Sequence, residues 1–105
     1  MQGRKLGFMR AFFADFMHLG RRPDLGLQGY TLPLGTEQDN PTLATLRAGE
    51  EVIATDEGEL WAQGEAVSVE LLGLRWWYVH KITTWHLLAE ESLPEGTTGI
   101  AASAV

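Results

Sequence analysis

The sequence predicts a mainly β fold, a small barrel or strongly curled antiparallel meander with one N-terminal amphipathic helix. Two patterns predict it. From residue 50 onward, short stretches rich in Val, Ile, Trp, Tyr and Thr alternate with turn signals that carry Gly. Before them, residues 5–19 place apolar side chains at helical spacing. The length of 105 residues adds a bound: it fits one domain, large enough to bury a core without metal or disulfide staples.

The N-terminal element is KLGFMRAFFADFMHL. Leu6, Met9, Phe12, Phe13, Phe16 and Met17 fall on one helical stripe, with Arg10, Ala11, Asp15 and His18 largely off it. Gly20 supplies a stop and Pro23 reinforces it. Residues 1–22 are thus expected to form a basic amphipathic helix. Residues 23–48 read as a loop-rich connection, being rich in Gly, Pro, Asn and Asp, with a short strand around Gly29 to Leu34. Within it, NPTLATL predicts one helical turn, capped by Asn40 with Pro41 in the first position.

Residues 49–93 carry the strands. EEVIAT is followed by the turn signal DEG at 56–58, and ELWAQG, EAVSVELL, LRWWYVHKI and TTWHLLAEE follow in turn. Four or five short strands in so few residues must curl or pack to bury a face. Residues 94–105 are small and weakly apolar, which predicts a flexible tail.

Three of the four tryptophans lie between positions 76 and 85, so their orientation matters. Pairing EAVSVELL with LRWWYVHK around Gly73 sets Glu70 opposite Arg75, Ser68 opposite Trp77 and Ala66 opposite Val79, and the opposite-charge pair favours this register. One face then collects Val67, Val69, Leu71, Leu74, Trp76 and Tyr78. That nearly uniform apolar set is the expected core face. The other face collects Ala66, Ser68, Glu70, Arg75, Trp77, Val79 and Lys81. Leu72 is a poor residue for a type I′ turn, which needs positive φ, so a type II or four-residue loop is expected. On the mixed face Trp77 is covered either by the N-terminal helix or by another molecule.

The net charge of −6 hides a division. Residues 1–22 hold Arg4, Lys5, Arg10, Arg21 and Arg22 against Asp15 alone, whereas residues 23–105 hold three basic groups against thirteen acids. The anionic body disfavours phosphate binding and leaves the basic head as the nucleic-acid alternative. The same head, with its apolar stripe, also has the composition of a helix that docks in a partner's groove or lies on a membrane surface through residues 4–22. No apolar run reaches membrane-spanning length, and Arg10, Asp15 and His18 interrupt any signal-peptide core, so a cytoplasmic protein is expected.

Little here points to catalysis. Cysteine is absent, which excludes thiolate metal sites and cysteine nucleophiles. The chain also lacks a phosphate-binding glycine loop, HExxH and Gly-x-Ser-x-Gly. His80, His86 and Glu65 form the best metal or acid–base set, and their spacing does not require convergence. The acids Glu50, Glu51, Asp56, Glu57, Glu59 and Glu65 read as a solvated face that attracts a basic partner. A non-enzyme without a cofactor is the expectation.

The segment GEEVIATDEGELWAQGEAVSVELLGLRWWYV, residues 49–79, resembles the opening of an SH3-like barrel of the Tudor or KOW kind. The likeness rests on Gly49-Glu50, the acidic turn Asp56–Gly58, Leu60-Trp61, Val67–Val69 and Gly73. It implies a binding fold without specifying a ligand. The residues expected to form the contact surface are Trp61, Arg75, Trp77 and Trp85, because aromatics and Arg dominate binding hot spots. The expected function is a protein-interaction module, an accessory subunit or adaptor.

Overall fold

The computed structural model describes residues 9–99. Strands β1 (Arg10–Phe13), β2 (Tyr30–Thr36), β3 (Glu51–Thr55), β4 (Leu60–Leu71), β5 (Leu74–Ile82), β6 (Trp85–Leu87) and β7 (Thr98–Gly99) form one open sheet in the order β2-β5-β4-β3-β1-β7, with β6 paired to β4. The fold is mainly β, as expected. The sheet is mixed, however, because β1 runs parallel to both β3 and β7.

The expected amphipathic helix is not formed over residues 9–19. Arg10–Phe13 is a strand, and Phe16–His18 is a single 3-10 turn whose first N–H groups are met by Asp15. The first eight residues of that expectation lie outside the described residues. A spacing of four, as in Phe12 and Phe16, satisfies a period of two as well as a period of 3.6. Here Phe12, Ala14 and Phe16 all turn into the main core while Ala11 packs on the opposite face. Pairing with β3 and β7 supplies the non-local hydrogen bonds that local spacing cannot reveal.

The turn at NPTLATL forms as a 3-10 turn, Pro41–Thr45, with the Asn40 side chain accepting from the Thr42 N–H. Its Leu43 is fully buried beneath the curled sheet. The short strand expected near Gly29 to Leu34 is the start of β2, which pairs with β5.

The β4–β5 register is as read from sequence: Glu70 pairs with Arg75, Ser68 with Trp77 and Ala66 with Val79. Its turn differs. Leu72 and Gly73 both adopt positive φ, 53° and 79°, the signature of a two-residue type I′ turn. Leu72 accepts the left-handed conformation while fully exposed at the tip.

The apolar residues of the two faces are placed contrary to the expectation, apart from Tyr78, which is buried as expected. Ala66, Trp77 and Val79 enter the main core with Phe12, Leu32, Leu43, Leu46, Val52, Ala54, Ala62 and Ile82. Val67, Val69, Leu71 and Trp76 remain half-exposed, and Leu74 is exposed. The reason is volume. Along β4 the inward positions are Ala62, Gly64 and Ala66, and these small residues let the sheet curl onto large side chains from β2, β3 and β5. Counting apolar residues on an isolated hairpin ignores what the rest of the chain brings to each face.

Between Glu65↔His80 and Ala62↔Trp85, two residues of β4 oppose four, Lys81 to Thr84, so β5 and β6 form one run broken by a bulge. Lys81 takes a positive φ of 61° there and donates its N–H to the Gln28 carbonyl at 2.7 Å. Gly64 lies under the bulge, where a Cβ would overlap the His80 carbonyl oxygen.

A smaller core on the outer face joins Ala11, Ile53 and Trp61, covered by Met9, Leu88 and Leu93. Among the described residues no helix is long and apolar enough to cross a membrane.

Candidate functional site: an aromatic stack and an open hairpin

The four tryptophan and arginine positions singled out by sequence do not converge. Trp61 is 4% exposed, donates Nε1–H to the Glu91 carbonyl at 2.7 Å and stacks on His86 with centroids 4.3 Å apart. Trp77 is also 4% exposed and donates Nε1–H to Glu37 Oε2 at 2.8 Å. Both indoles are core residues with their single donor satisfied, and neither ring is presented to solvent. What covers Trp77 is the inner core, not an N-terminal helix.

Trp85 and Arg75 are exposed, at opposite ends of the β5–β6 run. Arg75 pairs with Glu70 across the hairpin at 3.3 Å, a solvated pair of small energetic value. Trp85 keeps 38% of its surface and meets Tyr30 edge-on, 5.3 Å between centroids at 83°. Arg21 lies 4.4 Å above the Tyr30 ring. The result is a cation, a phenol ring and an indole in sequence, with Leu87 exposed on the same strand as Trp85. The sequence predicts a short strand at Tyr30 and a helix at Arg21, and does not signal that the two meet. Their meeting depends on β2 pairing with β5, and no local pattern signals that.

The second open surface is the outward face of the hairpin. Val67 and Val69 on β4 stand opposite Tyr78 and Trp76 on β5. Tyr78 is closed off by the segment around His18–Arg22 and by Pro33, whereas Val69, Leu71, Leu74 and Trp76 meet solvent.

Among the described residues, the cations of the basic head make internal contacts. Arg10 makes a bidentate pair with Glu50, Nε to Oε2 at 3.1 Å and Nη2 to Oε1 at 3.0 Å, and reaches Thr45 Oγ1 at 2.6 Å. Burial works to raise the Glu50 pKa, but Arg10 and the Arg47 N–H outweigh it and hold the carboxyl below its ordinary range. Arg22 is bidentate to Asp24, and Arg21 lies on Tyr30. Arg4 and Lys5 lie outside the described residues.

The acidic turn has a structural role. Asp56 Oδ1 accepts from the N–H groups of Gly58, Glu59 and Leu60 at 2.8–3.0 Å, which closes the β3–β4 hairpin. Those bonds overcome the opposing effect of burial and lower its pKa.

His80 and His86 are held apart. His80 is buried, and its Nδ1 accepts the Gln28 N–H at 3.2 Å, which requires the neutral ring. Burial, then the neighbouring Lys81, lower its pKa, against a smaller opposing effect of Glu65. His86 sits on Trp61 with Nδ1 3.0 Å from Glu91 Oε1. A polar pocket of about 280 Å³ is lined by Glu51, Gln63, Glu65, Lys81 and His86, but Lys81 is paired with Glu65 at 3.3 Å and Gln63 donates to Glu51 at 3.1 Å. Among the described residues no three His, Cys, Asp or Glu side chains gather as a ligand set.

No protein-family model, curated protein or solved structure matches the chain.

Proposed function

We propose that the chain is a non-catalytic protein-interaction module, an accessory subunit or adaptor in the cytoplasm, that holds its partner at the Arg21–Tyr30–Trp85 stack. The observation that carries this reading is Trp85 itself, a large ring left over one-third exposed although it packs edge-on against Tyr30, which Arg21 covers in turn. A pre-ordered aromatic with an adjacent Arg and an exposed Leu87 has the composition of a binding hot spot, and little side-chain freedom is lost when it is covered. The chain's excess of carboxylates favours a partner with a basic face, since complementary fields raise encounter rates. The accompanying fold reading is an SH3-like module, supported by the antiparallel run β3–β4–β5 and the Asp56–Gly58 turn.

Affinity capture with the wild-type chain, Trp85→Ala and the exposed-residue control Met17→Ser tests the proposal. The expected result is loss of a specific protein with Trp85→Ala alone, both variants being folded by circular dichroism. Retention of every captured protein by Trp85→Ala would overturn it. Salt-sensitive oligonucleotide binding that disappears when Arg21 is neutralised would instead favour a nucleic-acid role.

A further inference from the structure

The β4–β5 hairpin extends past the end of β3 and leaves the outer edge of β4 open, while β2 covers β5 as far as Trp76. β3 pairs with β4 only as far as Glu51↔Glu65. Ala66 then bonds outward in both directions, its N–H to the Glu50 carbonyl and its carbonyl to the Gly49 N–H, each at 2.8 Å. Antiparallel ladders alternate, so the N–H and C=O of Ser68 and Glu70 turn to this same outer side, away from β5. Among the described residues nothing bonds them. The open edge is therefore residues 67–71, bounded by the occupied Ala66 and by the turn at Leu72–Gly73.

The terminal strands of the sheet, β2 and β7, are protected. Thr31 of β2 is bridged to Gly20, Pro33 lacks an N–H, and β7 has only two residues. Residues 67–71, VSVEL, contain no Pro, Gly or Lys, and their one charge, Glu70, is already paired with Arg75. The outer face beside this edge is apolar, with Val69, Leu71, Leu74 and Trp76 meeting solvent.

We infer that this edge pairs with the same edge of a second copy, antiparallel about a twofold axis at Val69. The strand is self-complementary in that register. Ser68 meets Glu70 of the second copy and exchanges both ladder hydrogen bonds with it, and Glu70 meets Ser68 in the same way. No carboxylate faces a carboxylate. On the outer face Val69 meets Val69, and Val67 meets Leu71, so the two apolar faces merge across the axis. The length fits as well: Leu71 of the second copy lies opposite Val67, and its chain turns away at Leu72, just where Gly49 and Glu50 already occupy the edge at Ala66. This inference goes beyond the proposed function and uses a different surface from the Trp85 stack.

Sedimentation velocity over a concentration series tests it. The wild-type chain is expected to pass from monomer to dimer mass as concentration rises. Ser68→Pro removes an outward N–H and no bond to β5, and should abolish the dimer with the near-ultraviolet spectrum unchanged. Should that variant fail to fold, Ser68→Glu sets carboxylates against Glu70 of the second copy and should weaken association at least tenfold, whereas Ser68→Lys should strengthen it. Because the chain has no cysteine, Val69→Cys gives a clean readout: oxidation should join two copies across the axis. A wild-type chain that stays monomeric up to its solubility limit overturns the inference. So does a dimer that forms equally well with Ser68→Glu and leaves Val69→Cys uncrosslinked.

Discussion

The Trp77 indole, held in the main core, donates its Nε1–H to the Glu37 carboxylate at 2.8 Å, linking the middle of β5 to the residue after β2. This bond satisfies the one polar atom the ring carries inward. Glu37→Ala strands that donor and should cost about 1–3 kcal/mol, while Glu37→Gln, which keeps an acceptor, should cost less. Trp77→Ala empties core volume and should cost about 3–5 kcal/mol. Urea unfolding monitored by tryptophan fluorescence checks all three, and equal losses for Ala and Gln at position 37 would show that the bond is not the cause.

Glu50 and His80 both contribute to the acid side of the stability profile, in different windows, beside Asp56. Glu50 has a folded pKa below its ordinary value, so its pairing with Arg10 stabilises fully above the unfolded value near 4.5 and is lost as pH falls through the lowered folded value. His80 also has a lowered folded pKa, so its neutral ring costs nothing above the unfolded value near 6.5, and stability declines as pH falls from there toward the folded value. Thermal melts from pH 8 to pH 3 should show a first decline below 6.5 that disappears in His80→Gln, and a second below 4.5 that shrinks in Glu50→Gln.

Leu72 is an exposed aliphatic residue in a left-handed conformation, a position that Asn fills at lower cost. Leu72→Asn should therefore stabilise the chain by about 0.5–1 kcal/mol. Leu72→Val should destabilise it, since β-branching makes positive φ harder. Chemical denaturation of the two variants gives the sign.

At Gly64 a methyl group would collide with the His80 carbonyl and the Val79 side chain. Gly64→Ala should cost about 3 kcal/mol by forcing the β5 bulge away from β4. Amide exchange should show the loss at Lys81 and His80 before it reaches β3.

How much of this was legible in the sequence depends on the range of the contact that decides it. The pairing of Glu70 with Arg75 and the turn at Gly73 are local, and the hairpin register follows from them. The Asn40–Pro41 cap is local as well. Which face of that hairpin is inside is decided by Leu32, Leu43 and Val52, residues from other parts of the chain, and the apolar count on the strands alone points the wrong way. Residues 9–19 fail for a related reason: Phe12 and Phe16 suit a helix locally, but β3 and β7 offer a ladder. The Arg21–Tyr30–Trp85 stack had no readable signal, since its members come from three segments that meet only when β2 docks on β5. Trp85 was found by residue type, not by geometry.

β1 lies between β3 and β7, with Arg10 opposite both Val52 and Thr98. Residues 10–13 therefore wait for residues made much later. During synthesis, residues 10–13 leave the ribosome with no sheet to join until β3 follows, and their second edge stays bare until residue 99 is outside the exit tunnel. A contact between residues 10 and 98 comes late, because its loop-closure entropy must be met before the contact gives anything back. Until then the apolar strand Arg10–Phe13 is the segment most open to pairing with the wrong neighbour, and nascent chains halted before residue 98 should be the most prone to aggregate.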